Sequence, residues 1–106
     1  MYYVYFLKLS NGRVYKGSTS DLKRRVGEHE AGKAASTKPH RPLLLIGYEA
    51  YSKKSDALHR ERFLKTTEGR RLFRQQYRDI LRTDEGQQRI PGGEVAYRRL
   101  RRGKVV

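Results

Sequence analysis

An α+β fold with a small three-stranded antiparallel β-sheet flanked by three helices, in the order β-β-α-β-α-α, is predicted by three features of the sequence. A run rich in aromatic and β-branched residues meets a second such run across Asn11-Gly12, a strong signal for a tight hairpin. The apolar run Leu43-Leu44-Leu45-Ile46 follows Pro42 and supplies a third strand. Apolar residues at helical spacing recur between and after these strands, so helices must pack against the sheet.

Residues 2–9 read as a buried first strand, and residues 14–18 as its partner. The length of the connecting loop decides which side chains meet. A two-residue Asn11-Gly12 turn pairs Leu9 with Val14 and puts Tyr5 and Tyr15 on opposite faces. A three-residue loop, Ser10-Asn11-Gly12 with a glycine bulge, pairs Leu9 with Arg13 and puts both tyrosines on one face. The sequence permits either, and a shared tyrosine site needs the second. Ser18-Thr19-Ser20-Asp21 offers capping chemistry for a helix over residues 21–31, with Asp21 in its first turn favourable to the helix dipole. Leu22, Val26 and His29 fall on one face, with Arg25 one turn before His29. A polar, basic loop over residues 32–41 leads to the strand at 43–50. Ser55 is expected to cap a helix over 56–66, whose inward face holds Ala57, Leu58, Glu61 and Leu64. A further helix over 68–81 turns Leu72, Phe73, Gln76, Tyr77 and Ile80 inward, with Arg70, Arg71, Arg74 and Arg78 outside. Residues 1–82 then form one domain. Residues 83–106 read as a basic, loosely ordered tail with a short extended segment around 95–100.

A chain of 106 residues supports a single modest core, and 34% charged residues imply a heavily charged surface. The net charge is +14. Leaving out residues 83–106 still leaves 19 basic and 8 acidic residues, a net +11. The folded body is itself basic, which points to a polyanionic partner, most commonly nucleic acid. With no cysteine, disulfides and thiolate-ligated zinc or iron–sulfur centres are excluded. The three histidines are too scattered to suggest an all-histidine metal site. Neither a signal peptide nor a membrane-spanning run is legible, so a cytoplasmic protein is expected.

Six residues are candidates for chemistry, each with a structural alternative. Tyr5 and Tyr15 are either core-edge aromatics or phenols beside a metal or base. Gly17 either ends a strand or lets a phosphate approach the backbone. Arg25 and His29 form either a solvated helix pair or a phosphate clamp beside a proton acceptor. Glu61 on an inward face is the most unusual feature, since acids are rarely buried unpaired. It is neutralised by Lys65 at i+4 or by Arg25 across the interface, or else serves as a lone carboxylate ligand for Mg²⁺.

Together, Tyr3-Val4-Tyr5, Tyr15-Lys16-Gly17, Asp21-Leu22-Lys23-Arg24-Arg25-Val26, His29, Ser36-Thr37-Lys38, Arg41-Pro42 and the run from Ala57 to Lys65 resemble the GIY-YIG endonuclease superfamily. The likeness is greatest to its small stand-alone bacterial members and covers residues 2–82. It implies a compact nuclease domain that hydrolyses DNA phosphodiester bonds with one divalent ion, Mg²⁺ or Mn²⁺. Carried over by position, Tyr5, Tyr15 and Gly17 are the motif residues. Tyr15 activates water with His29 as an alternative or assisting base, Arg25 stabilises charge on the phosphate, and Glu61 binds the metal. Lys16, Gly17, Ser18, Lys38, Arg41 and Lys65 are expected to lie against the nucleic acid. Tyr3 stands where the motif has glycine, and Lys16 where an aliphatic residue is usual. Many members carry an asparagine after the metal-binding glutamate, whereas Asn11 is the only asparagine of this chain. The competing expectation is therefore a non-catalytic or weakly catalytic nucleic-acid-binding module on the same fold. A binder of anionic membranes that uses the Arg-rich last helix is a weaker third. No sequence-reading module is evident, and the sequence does not choose among duplex, branched and single-stranded DNA or RNA as substrate.

Overall fold

Strand β1 (Tyr2–Lys8) is the centre of the sheet, with β2 (Val14–Thr19) on one side and β3 (Leu44–Tyr51) on the other, both antiparallel to it. This computed structural model describes residues 1–82, so the expected tail at 83–106 and its extended segment lie outside the described residues. The hairpin adopts the three-residue alternative. Leu9 N donates to Arg13 O at 2.8 Å, Gly12 N donates to Leu9 O, and Gly12 sits at φ +89°, where a side chain is disfavoured. Leu7 therefore pairs with Tyr15 and Tyr5 with Gly17, which sets both tyrosines on the same face.

Helix α1 (Leu22–Glu30) covers that face with Leu22, Val26 and His29, the three residues its spacing predicts. Asp21 is its N-cap and accepts a bond from Arg24 N at 3.1 Å, one position earlier than the expected first-turn role. A short 3₁₀ turn (Lys38–His40) precedes β3. Helix α2 (Lys54–Leu64) begins before Ser55, so Ser55 lies inside it, and its N-cap Lys53 makes no side-chain capping bond. Ala57 and Leu64 are buried as expected, but Leu58 is 37% exposed, because it lies a further 100° round the helix from Ala57. Thr66 caps α3 (Thr67–Gln76) through a bond from Gly69 N. The helix expected over 68–81 is interrupted at Tyr77 and resumes as the short α4 (Arg78–Arg82). The interruption falls where Tyr77 is anchored, its ring 5.1 Å from Phe6 and its hydroxyl on Glu49. Gln76, expected inward, is exposed and accepts a bond from Arg60 at 3.0 Å.

The sheet is buried on both sides. Tyr5, Leu7 and Tyr48 pack with α1, while Val4, Phe6 and Ile46 pack with Ala57, Leu64 and Phe73 of α2 and α3. Between β1 and β3 the register slips. Leu7 pairs with Leu45 but Phe6 with Gly47, which leaves Ile46 as an extra residue. That bulge reverses the facing of β3 and delivers Glu49 to the α2–α3 side.

Candidate active site

Tyr5, Tyr15, Arg25 and His29 converge between the sheet and α1. The Tyr5 hydroxyl lies 2.9 Å from His29 Nε2, and His29 Nδ1 lies 2.7 Å from Thr37 Oγ1. His29 is fully buried, so both ring nitrogens are committed within the protein. The Thr37 hydroxyl donates to the Ala34 carbonyl, so its oxygen receives the Nδ1 proton and Nε2 receives the phenolic proton of Tyr5. Burial, helped by the Arg25 charge, pushes the His29 pKa down to about 4, so the ring is neutral at pH 7. Burial likewise pushes the Tyr5 phenol up to about 12; Tyr15 and Glu61 add to the shift, and contact with the Arg25 guanidinium offsets part of it. The Tyr15 ring stands 6.2 Å from Tyr5 and 5.1 Å from His29, and it is only partly buried.

Gly17, expected to leave its backbone bare for a phosphate, has a packing reason to be glycine. A Cβ there would fall 2.6 Å from the Tyr5 hydroxyl and 3.0 Å from the Tyr15 ring. Tyr5 is directly opposite Gly17 in the register, so its phenol occupies the space the glycine leaves.

Neighbouring residues of β2 address opposite faces, and Ser18 points to the α2 side. Its hydroxyl donates to Glu61 Oε1 at 2.7 Å, and Lys65 Nζ binds Oε2 at 2.9 Å. Burial alone would raise the Glu61 pKa, but Ser18 and Lys65 outweigh it and hold the carboxyl below its ordinary value. Of the two expected neutralising partners, Lys65 makes the contact. Arg25 instead pairs with Glu28 at 2.9 Å. The tyrosine–histidine cluster and Glu61 thus straddle the edge strand at Gly17-Ser18, close enough for the Glu61 charge to act on Tyr5.

Glu61 fits a hard divalent cation held by one carboxylate, with substrate oxygens and water completing the shell. It is ionised and already carries a cation, the Lys65 ammonium, on one oxygen. Among the described residues no group of three or more His, Cys, Asp or Glu is placed to hold a metal, so a multi-ligand protein cage is not built here.

The other expected contacts are dispersed. Lys16 lies on the α3 side with its ammonium 4.7 Å from the centre of the Phe73 ring. Lys38 is exposed beside Thr37, and Arg41 spends donors on the Lys38 and Glu30 carbonyls. Two polar residues escaped the reading of the sequence. Thr37 appears there only within a motif, although its bond to His29 fixes the imidazole. Among the described residues Glu49, not Glu61, is the fully buried carboxylate, 2% exposed and bound by Arg60, Tyr51 and Tyr77. The available signal was an acid amid the aromatic residues Tyr48 and Tyr51 near a strand end.

Comparison with known proteins shows the family. Residues 1–77 match the family model described as the GIY-YIG catalytic domain. A UPF0213 protein of Staphylococcus haemolyticus is 41% identical over 66 residues, which span 61% of this chain and 80% of that one. A UPF0213 protein of Halobacterium salinarum is 42% identical over 62 residues, covering 58% and 80%. A solution NMR structure of a UPF0213 protein from Bacillus halodurans aligns with a TM-score of 0.45 at 31% identity, over 69% of this chain and 82% of that one. With its first 77 residues matched and its tyrosines sharing a face with Arg25 and His29, the chain belongs to the GIY-YIG family and has a nuclease-type fold.

Proposed function

We propose that the protein is a metal-dependent endonuclease that hydrolyses DNA phosphodiester bonds at a one-metal site. The observation that carries this reading is the meeting of two tyrosines, a buried neutral histidine and an arginine on one side of β2 with an ionised glutamate on the other. Glu61 would hold Mg²⁺ or Mn²⁺, which supplies Lewis-acid polarisation of the phosphate and neutralises the leaving oxygen. Arg25, already against the Tyr5 phenol, balances charge that grows on the phosphate oxygens. Tyr15, the more exposed phenol, orients the attacking water. Tyr5 is a fixed neutral donor whose proton is directed at His29, so this pair positions the site and is not titrated at physiological pH. The basic body favours contacts to the DNA backbone over reading of bases, so affinity falls steeply with salt.

The test is incubation of the purified protein with supercoiled plasmid, branched DNA and single-stranded oligonucleotides, in Mg²⁺, Mn²⁺ or EDTA, beside Glu61→Gln. Cleavage that needs metal and disappears in the variant is expected. Salt-sensitive binding without cutting on every substrate, unchanged in Glu61→Gln, would replace this reading with a nucleic-acid-binding module.

A further inference from the structure

Along the outer edge of β2, facing the junction of α2 and α3, runs a cleft of about 570 Å³ lined by Arg13, Tyr15, Lys16, Lys65 and Arg70, among others. Among the described residues no carboxylate lines it. The Lys16 ammonium is half-buried there, and its pKa is lowered by burial and by the charges of Arg70, Arg74 and Lys65. Arg13, Lys16, Lys65 and Arg70 thus crowd one concavity, with Arg74 near enough to act on Lys16, a costly arrangement in the free protein that a line of anions relieves. Lys65 is committed to Glu61 and Arg70 donates to the Lys65 carbonyl, which ties the cleft to the candidate metal ligand. Tyr15 belongs to both the cleft and the tyrosine–histidine cluster.

We propose that this cleft is a phosphate-backbone subsite, in which Arg13, Lys16, Arg70 and Arg74 grip the nucleic-acid strand as it leaves the reacting phosphate. The inference rests on the nuclease reading only for the identity of the strand. Successive cations in a groove with an aromatic ring at one end suit a polynucleotide, whose charges are strung along a line and interleaved with flat bases. A membrane surface fits poorly, since the large exposed apolar residues among those described, Met1 and Leu58, lie outside the cleft.

The experiment measures binding without cleavage. Full-length protein carrying Glu61→Gln is titrated in EDTA against fluorescein-labelled duplex and single-stranded DNA at several salt concentrations. Arg13→Ala/Arg70→Ala/Arg74→Ala is compared with the same three positions changed to Lys and with a control of equal charge loss, Lys33→Ala/Lys53→Ala/Arg78→Ala. Loss of three duplex phosphate contacts lowers the slope of log K against log salt by about 2.7, at about 0.9 per contact, and weakens binding about tenfold or more. The Lys version keeps most of the slope, and the control changes it by less than about 1. Equal losses in the groove variant and the control, or none in either, overturn the proposal. So does a groove variant that loses binding to phosphatidylserine vesicles but not to DNA. If the wild type never cuts yet binding follows the groove, the nuclease reading fails and this subsite stands; cutting with groove-insensitive binding gives the reverse.

Discussion

Replacing Glu49 by alanine should cost as much as truncating a core aromatic on the α2–α3 side of the sheet. Oε1 accepts from Arg60 Nε at 2.9 Å and from the Tyr51 hydroxyl at 2.6 Å, while Oε2 accepts from Arg60 at 3.1 Å and from the Tyr77 hydroxyl at 2.7 Å. Glu49→Ala strands a largely buried guanidinium and removes the acceptor of two phenols. Breaking a buried ion pair from one side costs about 3–5 kcal/mol. Each orphaned hydroxyl adds about 1–3 kcal/mol if no water reaches it. Arg60 is 21% exposed and Tyr51 is partly open, so water recovers part of this, and about 3–5 kcal/mol in total is expected. Arg60 precedes Glu61 on α2, so the same change should loosen the candidate metal ligand. Burial would raise the Glu49 pKa, but the bonds from Arg60, Tyr51 and Tyr77 hold it below 4.5. Its contribution is therefore full above that pH and is lost as pH falls through the folded-state value. Urea denaturation at pH 7 is the assay. A loss below about 1 kcal/mol with an unchanged m-value would refute the reasoning, because it would mean that the network is solvated or replaceable.

Gly17→Ala puts a methyl against the Tyr5 phenol and should cost about 1–3 kcal/mol and abolish cleavage, with far-UV circular dichroism preserved; activity equal to wild type would contradict the packing described. The depressed His29 pKa means the unfolded chain takes up the proton first, so stability is full above about 6.5 and falls as pH drops towards 4. Between pH 7 and 5 the wild type should lose about 2 kcal/mol more than His29→Gln in paired urea titrations. Thr37→Val orphans His29 Nδ1 and should destabilise by about 1–3 kcal/mol and lower kcat more than it raises KM; a change in KM alone would argue against a positioning role. Lys65→Ala removes the ammonium from Glu61 and should tighten Mn²⁺ binding several-fold in calorimetry without DNA, whereas weaker binding would show that Lys65 organises the carboxylate instead.

The strands, the inward face of α1 and the residues of the tyrosine–histidine cluster were legible because alternation and helical spacing state them locally. What stayed illegible depended on pairing. The sequence left two hairpin loops open, and only the Leu9–Arg13 pairing decides that Tyr5 and Tyr15 share a face. The bulge at Ile46 breaks simple alternation in β3, so no period-2 reading could assign Glu49 to the buried α2–α3 face. The stop at Tyr77 follows from anchoring to Phe6 and Glu49, residues some 71 and 28 positions away, rather than from a local helix breaker. Ser55 has the chemistry of a cap, yet α2 starts before it, because tertiary packing sets the start of a helix as strongly as capping propensity does.

Loop tips usually tolerate gain or loss of a residue, because little packs on them. The tip at Ser10-Asn11-Gly12 also selects one of two registers for β2. A slip of the unchanged loop to the two-residue Asn11-Gly12 turn, which pairs Leu9 with Val14, would turn every later residue of β2 to the other face, carrying Tyr15 away from His29 and Ser18 away from Glu61. What the tip has to keep is therefore the positive-φ glycine at position 12 that holds the three-residue form, more than the identities of Ser10 and Asn11.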